Sequence, residues 1–450
     1  MLENFEARKE QVLAARSAFQ TFATGSQKDL QQLIDHRLSN LFQHLRSSAW
    51  WRDYLPTGDG IQLAALPVLE KSLVQQEYLN MRIQVPGSGE NDYGLTHTSG
   101  STGQPVEVMQ FIPTYQLQYS VAELTDVIWQ DRDISKNLGF LRINGEVEDS
   151  PSWGIPYSYL GNTGRFTKRV FLNRSPAELL QQIAEDQLSY LSMNAMAVRL
   201  LSLEQLSNPQ ENVNLNQIMN WADPVSPELR ELVQEAFGAK VVDRYSSNEF
   251  GFLAIQCPRH DHLHALQLHN YIELLDEQNR PVPRGELGRV VVTALRGFAQ
   301  PLIRYELGDL ARWGDGCDSG ITLPVLEPEI VRQRDIFLDS EGRILLPYTD
   351  NLPFIKDGTV LKSQFLQFAD RIIFLAEFRT APDADLLATM RIEISERFGL
   401  GLLAEVVEIS KEQAEQIMPW KARPILRFDA PAPSESDADV LVAMLPNHRL

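Results

Sequence analysis

Cysteine is nearly missing from this sequence, with Cys257 and Cys317 alone among 450 residues. That excludes a disulfide scaffold and suits a reducing compartment, where such thiols are buried groups or metal ligands. Long apolar runs are missing too, since no window approaches the roughly 18 apolar residues of a membrane span. The start, Met1-Leu2-Glu3-Asn4-Phe5-Glu6, lacks a basic stretch followed by an apolar core. The expectation is a cytoplasmic protein with no membrane partner. Positive charge is scarce, 41 Lys and Arg against 60 Asp and Glu, for a formal net charge of −19. Nucleic acid needs a basic footprint, so it is not expected as a partner, and any nucleotide must be met by a few local cations. Neither a Gly-x-Ser-x-Gly elbow nor a His-Glu-x-x-His pair is present, which removes local support for a hydrolase.

The apolar and charged fractions, 43% and 22%, are those of ordinary globular chains. The length exceeds what one hydrophobic core organises, so two or more domains with a cleft between them are expected. Over 5–48, apolar residues recur at helical spacing (Leu30, Leu33, Leu38, Leu41, Phe42, Leu45) and predict two amphipathic helices. Leu66-Pro67-Val68-Leu69-Glu70-Lys71 reads as an ordered connector. As far as about 332, helix-like and strand-like segments alternate, with Val290-Val291-Val292-Thr293 a clear strand, which argues an α/β fold with mixed or parallel sheets. Beyond 332 a smaller α+β unit is expected, with a strand at 372–375, a helix over 384–398 and a strand at 404–409. The Pro-, Ala-, Ser- and acid-rich stretch 429–439 reads as a linker.

The densest chemistry lies in Thr96-His97-Thr98-Ser99-Gly100-Ser101-Thr102-Gly103-Gln104-Pro105. Gly100 and Gly103 permit close backbone approach, and successive N–H groups with the hydroxyls of Thr98, Ser99, Ser101 and Thr102 can donate to a polyphosphate. A polar surface loop is the plain alternative. The Gly-Lys-Ser/Thr ending of a Walker loop is absent.

This loop resembles the phosphate loop of adenylate-forming enzymes, and three further segments match that superfamily in order. Tyr245-Ser246-Ser247-Asn248-Glu249 is similar to its Tyr-Gly-x-Thr/Ser-Glu segment. Gly285-Glu286-Leu287-Gly288 and Arg304-Tyr305-Glu306-Leu307-Gly308-Asp309-Leu310 resemble its Gly-Glu-Leu-Gly and Arg-Tyr-x-Thr-Gly-Asp-Leu. Trp420-Lys421-Ala422-Arg423 looks like the segment that supplies the catalytic lysine. The Leu66-Pro67 to Lys71 stretch is similar to one found in the phenylacetate–CoA ligase branch. The resemblance implies a large adenylation domain over 1–331, with a helical segment 1–90, and a lid domain over 332–450 that carries the lysine.

It also implies an acid–thiol ligase: ATP activates a carboxylic acid as an acyl-AMP, and the acyl group then passes to coenzyme A, a carrier-protein pantetheine or an amine. Lys421 and Glu249 would be catalytic, with Glu249 holding Mg²⁺. Thr98, Ser99, Gly100, Ser101, Thr102, Gly103, Ala222, Asp223, Tyr245, Ser246, Asp309 and Arg332 would contact nucleotide. The residue types fit: an aspartate accepts from both hydroxyls of a ribose diol, a glutamate is a hard ligand for Mg²⁺, and an aromatic face suits a purine. Trp153, Tyr157, Tyr159, Trp221 and Phe250 point to an aromatic or other planar acid. Ser246 and Arg334 depart from the family pattern, and these departures favour a rival, a relative that binds nucleotide or acyl-AMP without turnover. Retention of Lys421 weighs against it. Whether the chain is a homodimer is left open.

Cys257-Pro258-Arg259-His260-Asp261-His262-Leu263-His264 gathers one thiol and three imidazoles, and Cys317 lies further on. Some phenylacetate–CoA ligase relatives have a structural zinc between such segments. The resemblance implies a Zn²⁺ held by Cys257, Cys317 and two of His260, His262 and His264. Ser319 stands where the pattern has a second knuckle cysteine, so a His-rich turn with two buried thiols is the alternative.

Overall fold

A computed structural model describes residues 2–57, 61–97, 105–143, 145–171, 174–221, 223–296, 298–339, 341, 343–346, 349, 352–398, 403–417, 425–433 and 437–445. The chain opens with the helices Leu2–Ala23 and Gln27–Leu45, as expected over 5–48. Gly25 breaks the run, and Ser26 caps the second helix by accepting from the Asp29 N–H at 3.1 Å. Leu30, Ile34, Leu41 and Leu45 recur on one buried face. Phe19, Ala23, Leu30 and Ile34 pack on Val121, Ala122 and Trp129 of the helix Ile112–Trp129.

A six-stranded sheet runs in the order Glu148–Ser150, Phe166–Val170, Asn137–Arg142, Leu188–Met193, Gln217–Asn220, Lys240–Val242. Its pairings are parallel except at the Glu148–Ser150 edge. The helices Pro176–Glu185, Ala195–Ser207 and Pro227–Phe237 connect successive strands, the alternation read from the sequence. Ser175 caps the first of these helices and Ser226 the last, which Gly238, at φ 64°, ends in the left-handed conformation that a Cβ disfavours.

Two four-stranded antiparallel sheets carry the motif segments. One has the order Val325–Leu326, Leu263–Ala265, Gly251–Gln256, Arg244–Ser247, and the other Asn270–Leu275, Leu287–Ala294, Tyr305–Arg312, Val331–Arg332. Their inner faces share a core that includes Tyr245, Leu253, Val290, Val292 and Tyr305, which also takes in Trp51, Leu66 and Leu69 from the N-terminal segment.

Beyond 332 the order Leu403–Glu408, Arg371–Phe378, Val360–Gln367, Ile425–Arg427 forms a mixed sheet covered by the helix Ala384–Phe398. It has its own core of Phe337, Phe365, Phe374, Met390 and Ile394. Of the stretch 429–439 expected to be a linker, residues 429–433 and 437 carry no helix or strand. The Ala432 N–H donates to Asp370 at 2.7 Å, and Ala438–Met444 is a helix that buries Leu441 and Val442.

Candidate active site

Asp309 lies on the strand Tyr305–Arg312, at a place where the pairing slips. Val291 faces Glu306 and Arg289 faces Leu310, so the partner strand bulges over Leu307 to Asp309. Gly308 sits in the bulge at φ 77°, a conformation that a side chain would strain. The register then brings Asp309 opposite Arg332. Tyr245 donates its hydroxyl to Asp309 Oδ2 at 2.7 Å, and Arg332 Nη1 lies 3.0 Å from Oδ1. Burial pushes the Asp309 carboxyl above its usual range, while Arg332 and the Tyr245 hydroxyl pull it back.

Glu249 follows the strand Arg244–Ser247 by two residues. Burial raises its pKa, opposed by the Ser247 hydroxyl and the Arg332 charge, and the Tyr305 hydroxyl bonds to the same carboxylate. Gln110 donates to the Glu249 carbonyl at 2.8 Å, and Asn248 Nδ2 donates to the His97 carbonyl at 2.8 Å. His97 and Glu107 are register partners in the hairpin of Tyr93–His97 with Glu107–Phe111. Glu249 is therefore set beside both ends of the Gly/Ser/Thr loop. Thr98, Ser99, Gly100, Ser101, Thr102 and Gly103 lie outside the described residues, as do Ala222 and Lys421.

The strand that carries Tyr245 is held from behind by buried charge. Arg244 pairs with Asp126 and, at 3.4 Å, with Glu123, both on the helix Ile112–Trp129, and Asp126 also takes Arg132 at 2.7 Å. A buried ionic group of this kind adds little net stability but is costly to break, and it fixes one orientation of the strand.

Lys71 is a site residue that sequence reasoning missed. Leu69 forms a parallel bridge with Tyr305, the Leu69 N–H donates to the Arg304 carbonyl at 2.8 Å, and Arg304 caps the Leu66 carbonyl. Lys71, two residues on, comes within electrostatic reach of Glu249, Arg332 and Arg334. Burial lowers its ammonium pKa, Glu249 raises it, and the two arginines lower it further. The Leu66 to Lys71 segment was the available signal, but it marked a branch rather than a contact. Lys71, Arg332 and Arg334 are thus the local cations that an acidic chain needs if it binds a polyanion.

Asp223 stands apart from this cluster, accepting from Asn194 Nδ2 at 3.1 Å through its carboxylate and from Asn220 at 2.6 Å through its carbonyl. Ser246 is exposed on the edge strand. The aromatic residues read as an acid pocket are not gathered. Trp153 and Tyr157 pack edge to face at 5.2 Å in a core cluster, Tyr159 packs on Phe5, and Trp221 lies under Arg142. Phe250 alone of the five lines a small cavity, with Tyr115, Tyr119, Gly251 and His269.

The ligand atoms of Cys257, His262, His264 and Cys317 lie within 4.8 Å of one another, with the two sulfurs 3.6 Å apart. His264 Nδ1 bonds to the Leu323 carbonyl at 3.2 Å, which leaves Nε2 with its lone pair free, and the Nε2 atoms of both histidines are buried without a partner. Burial lowers the His264 pKa to about 4 and that of His262 as well, so both rings are neutral, as ligands must be. His260, the third histidine named from the sequence, pairs instead with Asp318 at 2.6 Å and falls outside this set of four.

No family model matches the sequence, and no curated protein matches it. The fold does have counterparts. It superposes on 2-hydroxyisobutyryl-CoA ligase in the postadenylation state with R3-HIB-AMP at a TM-score of 0.71 and 20% identity, covering 94% of this chain and 93% of that one. The same ligase with 2-HIB-AMP and CoA in the thioesterification state gives 0.59 at 20% identity, covering 91% and 92%. An anthranilate CoA ligase with anthranoyl-AMP gives 0.55 at 14%, covering 79% and 69%. Over nearly its whole length this chain has the fold of adenylate-forming acyl-CoA ligases.

Proposed function

We propose that this chain is an acid–thiol ligase that uses ATP to convert a carboxylic acid to an acyl-AMP, releases pyrophosphate, and passes the acyl group to coenzyme A. The observation that carries this reading is the convergence of Tyr245, Asp309, Arg332 and Glu249, from three segments, on one place beside the ends of the Gly/Ser/Thr loop. Asp309 offers a buried acceptor to the ribose diol, Tyr245 offers a ring to adenine, and Glu249 is the residue that would hold Mg²⁺, which supplies charge neutralisation at the phosphates. Arg332 and Lys71 oppose the negative charge of the phosphates. Lys421 would join the carboxylate and the α-phosphate as they approach, where an ammonium lowers repulsion most in the transition state.

Support for a phenylacetate–CoA ligase-like branch comes from the Leu66 to Lys71 segment seated against Tyr305 and Glu306. The Cys257, His262, His264 and Cys317 set has the donor types and neutral imidazoles of a closed structural zinc site. The test is acid-dependent pyrophosphate release across a panel of aliphatic and aromatic acids, with and without coenzyme A. The expected result is release with one acid class and a CoA thioester as product, and a fall of roughly 10² to 10³ for Lys421→Ala. Nucleotide binding with no release for any acid overturns the ligase reading in favour of a binding protein.

A further inference from the structure

The helices Leu2–Ala23, Gln27–Leu45 and Ile112–Trp129 enclose, with the residues just before Asn270 and just after Ala294, a cavity of about 80 Å³. Most of its wall is apolar, with Phe19, Phe22, Leu117 and Val121 among the lining residues. Four lining groups are polar, the Gln118 amide and the titratable side chains of Arg37, His269 and Arg296. Arg37 Nη1 is buried with no hydrogen-bond partner, and both guanidiniums have their pKa values lowered, by burial first and, for Arg37, by Arg296 as well, which takes Arg37 to about 9. Among the described residues no acidic group offsets either one.

Four other enclosed arginines each face a carboxylate. Arg132 faces Asp126, Arg169 faces Asp186, Arg244 faces Glu123, and Arg304 faces Glu273. Two like charges beside an apolar wall, without a counter-charge, raise the energy of the folded state, because each loses water and repels the other. An anion in the cavity would remove both costs at once. His269, a residue with 6% of its surface exposed, is pushed by burial and the two arginines to a pKa of about 3, so it stands as a neutral ring able to donate one N–H. A space of 80 Å³ holds a few waters or one compact anion, and is too small for a nucleotide.

We propose that Arg37, Arg296 and His269 form a binding site for a small oxyanion, the carboxylate or phosphate group of a ligand that enters between the N-terminal helices and the sheet. Gln118 and His269 also line the smaller cavity beside Phe250 and Gly251, so the two spaces share a wall. The anion therefore has two sources: a free ion, or, resting on the ligase reading, the far carboxylate of a dicarboxylic acid whose near end is activated.

Thermal unfolding of the full chain in potassium phosphate against potassium chloride at equal ionic strength tests the site without any catalysis. Wild type is expected to gain about 1 to 3 °C in phosphate at saturation. Arg37→Met should start above wild type in chloride, since a repelling charge is gone, and lose most of the phosphate gain, while Arg37→Lys keeps part of it. Arg296→Met provides the same reading if Arg37→Met does not fold. A phosphate gain that is absent in wild type, or equal in wild type and both Met variants, overturns the site. The source is then read from turnover of glutarate against butyrate. A loss for glutarate alone in Arg37→Met assigns the anion to the substrate's far end, and no change for either acid, with the phosphate gain still lost, assigns it to a free ion.

Discussion

Asp309 is buried, ionisable and held between one hydroxyl and one guanidinium, so it is where a single atom change should speak most clearly. Asp309→Asn keeps an acceptor for Tyr245 but strips Arg332 of its counter-charge and the ribose of a charged acceptor. ATP affinity by calorimetry should fall by about 10- to 100-fold, the value of one or two charge-assisted bonds. Affinity equal to wild type removes Asp309 from the nucleotide site. Asp243 makes a different prediction. Burial pushes its carboxyl up to about 6, although it accepts from Asn220 Nδ2 and the Arg244 N–H, each at 2.9 Å. A carboxyl raised on folding binds its proton more tightly in the native state, so this stability is full below about 4 and is lost as pH rises through 6. Asp243→Asn keeps both bonds without the charge. It should unfold with on the order of 2 kcal/mol more stability than wild type at pH 7 in urea, and the gap should close below pH 4. Parallel pH profiles for the two proteins exclude a raised Asp243.

At the scale of elements, the turn 257–264 meets the segment around Cys317 through side chains, Arg259 and His260 on Asp318 and Cys257 beside Cys317, while Leu263 and His264 pair with Leu326 and Val325. If Cys257, His262, His264 and Cys317 hold zinc, protein purified without chelators should contain about one zinc per chain, and stripping it should lower the melting temperature by several degrees. His262→Ala should lose the metal and His260→Ala should keep it; zinc near zero, with melting unchanged by chelation, removes the site. That distinction shows what could be read in advance. Tyr245 to Glu249 and Arg304 to Asp309 lie in short windows, so their chemistry survives as local pattern. Which of three neighbouring histidines turns inward depends on the pairing of Leu263 with a strand sixty residues away, and Asp318 decides the fate of His260. The same holds for the aromatics. Trp153 and Tyr159 are core because of the helices that cover them, and Tyr115 and Tyr119 reach the Phe250 cavity because one face of their helix meets the strand Gly251–Gln256. No window of sequence contains both partners.

For the molecule as a whole, the sheet beyond 332 is moored to the six-stranded unit by one residue above others. Arg199, on the helix Ala195–Ser207, donates to the carbonyls of Leu361 at 3.1 Å and Val360 at 3.0 Å, and to that of Ile355. Lys356 meets Glu231 at 3.2 Å, and Arg379 meets Ser207 at 3.0 Å. Gly358, at φ 76°, leaves no room beside Leu203. Under the ligase reading this mooring must loosen between the two half-reactions. Arg199→Met leaves three carbonyls without their donor, which costs about 1 to 3 kcal/mol at this contact. Proteolysis within 333–359 should become several-fold faster, while the two antiparallel sheets stay protected. Cleavage at the wild-type rate shows that Arg199 does not hold the two parts together.

The N-terminal helices have their partners far away in the chain. Thr322 donates its N–H to the Ala23 carbonyl at 2.7 Å, Gln27 reaches the Thr322 carbonyl across 295 positions, and His44 meets the Phe298 carbonyl. During synthesis at about 5 to 20 residues per second, Phe19, Leu30 and Ile34 meet Val121, Ala122 and Trp129 first, and wait roughly 15 to 60 seconds for Ile321 and Leu323, which complete their core. The first part of the chain to be made is therefore among the last to be fully buried. A ribosome-bound fragment that ends before residue 298 lacks Ile321 and Leu323 and carries that surface only partly covered, which makes this nascent chain a natural client for the chaperones that shield exposed apolar helices.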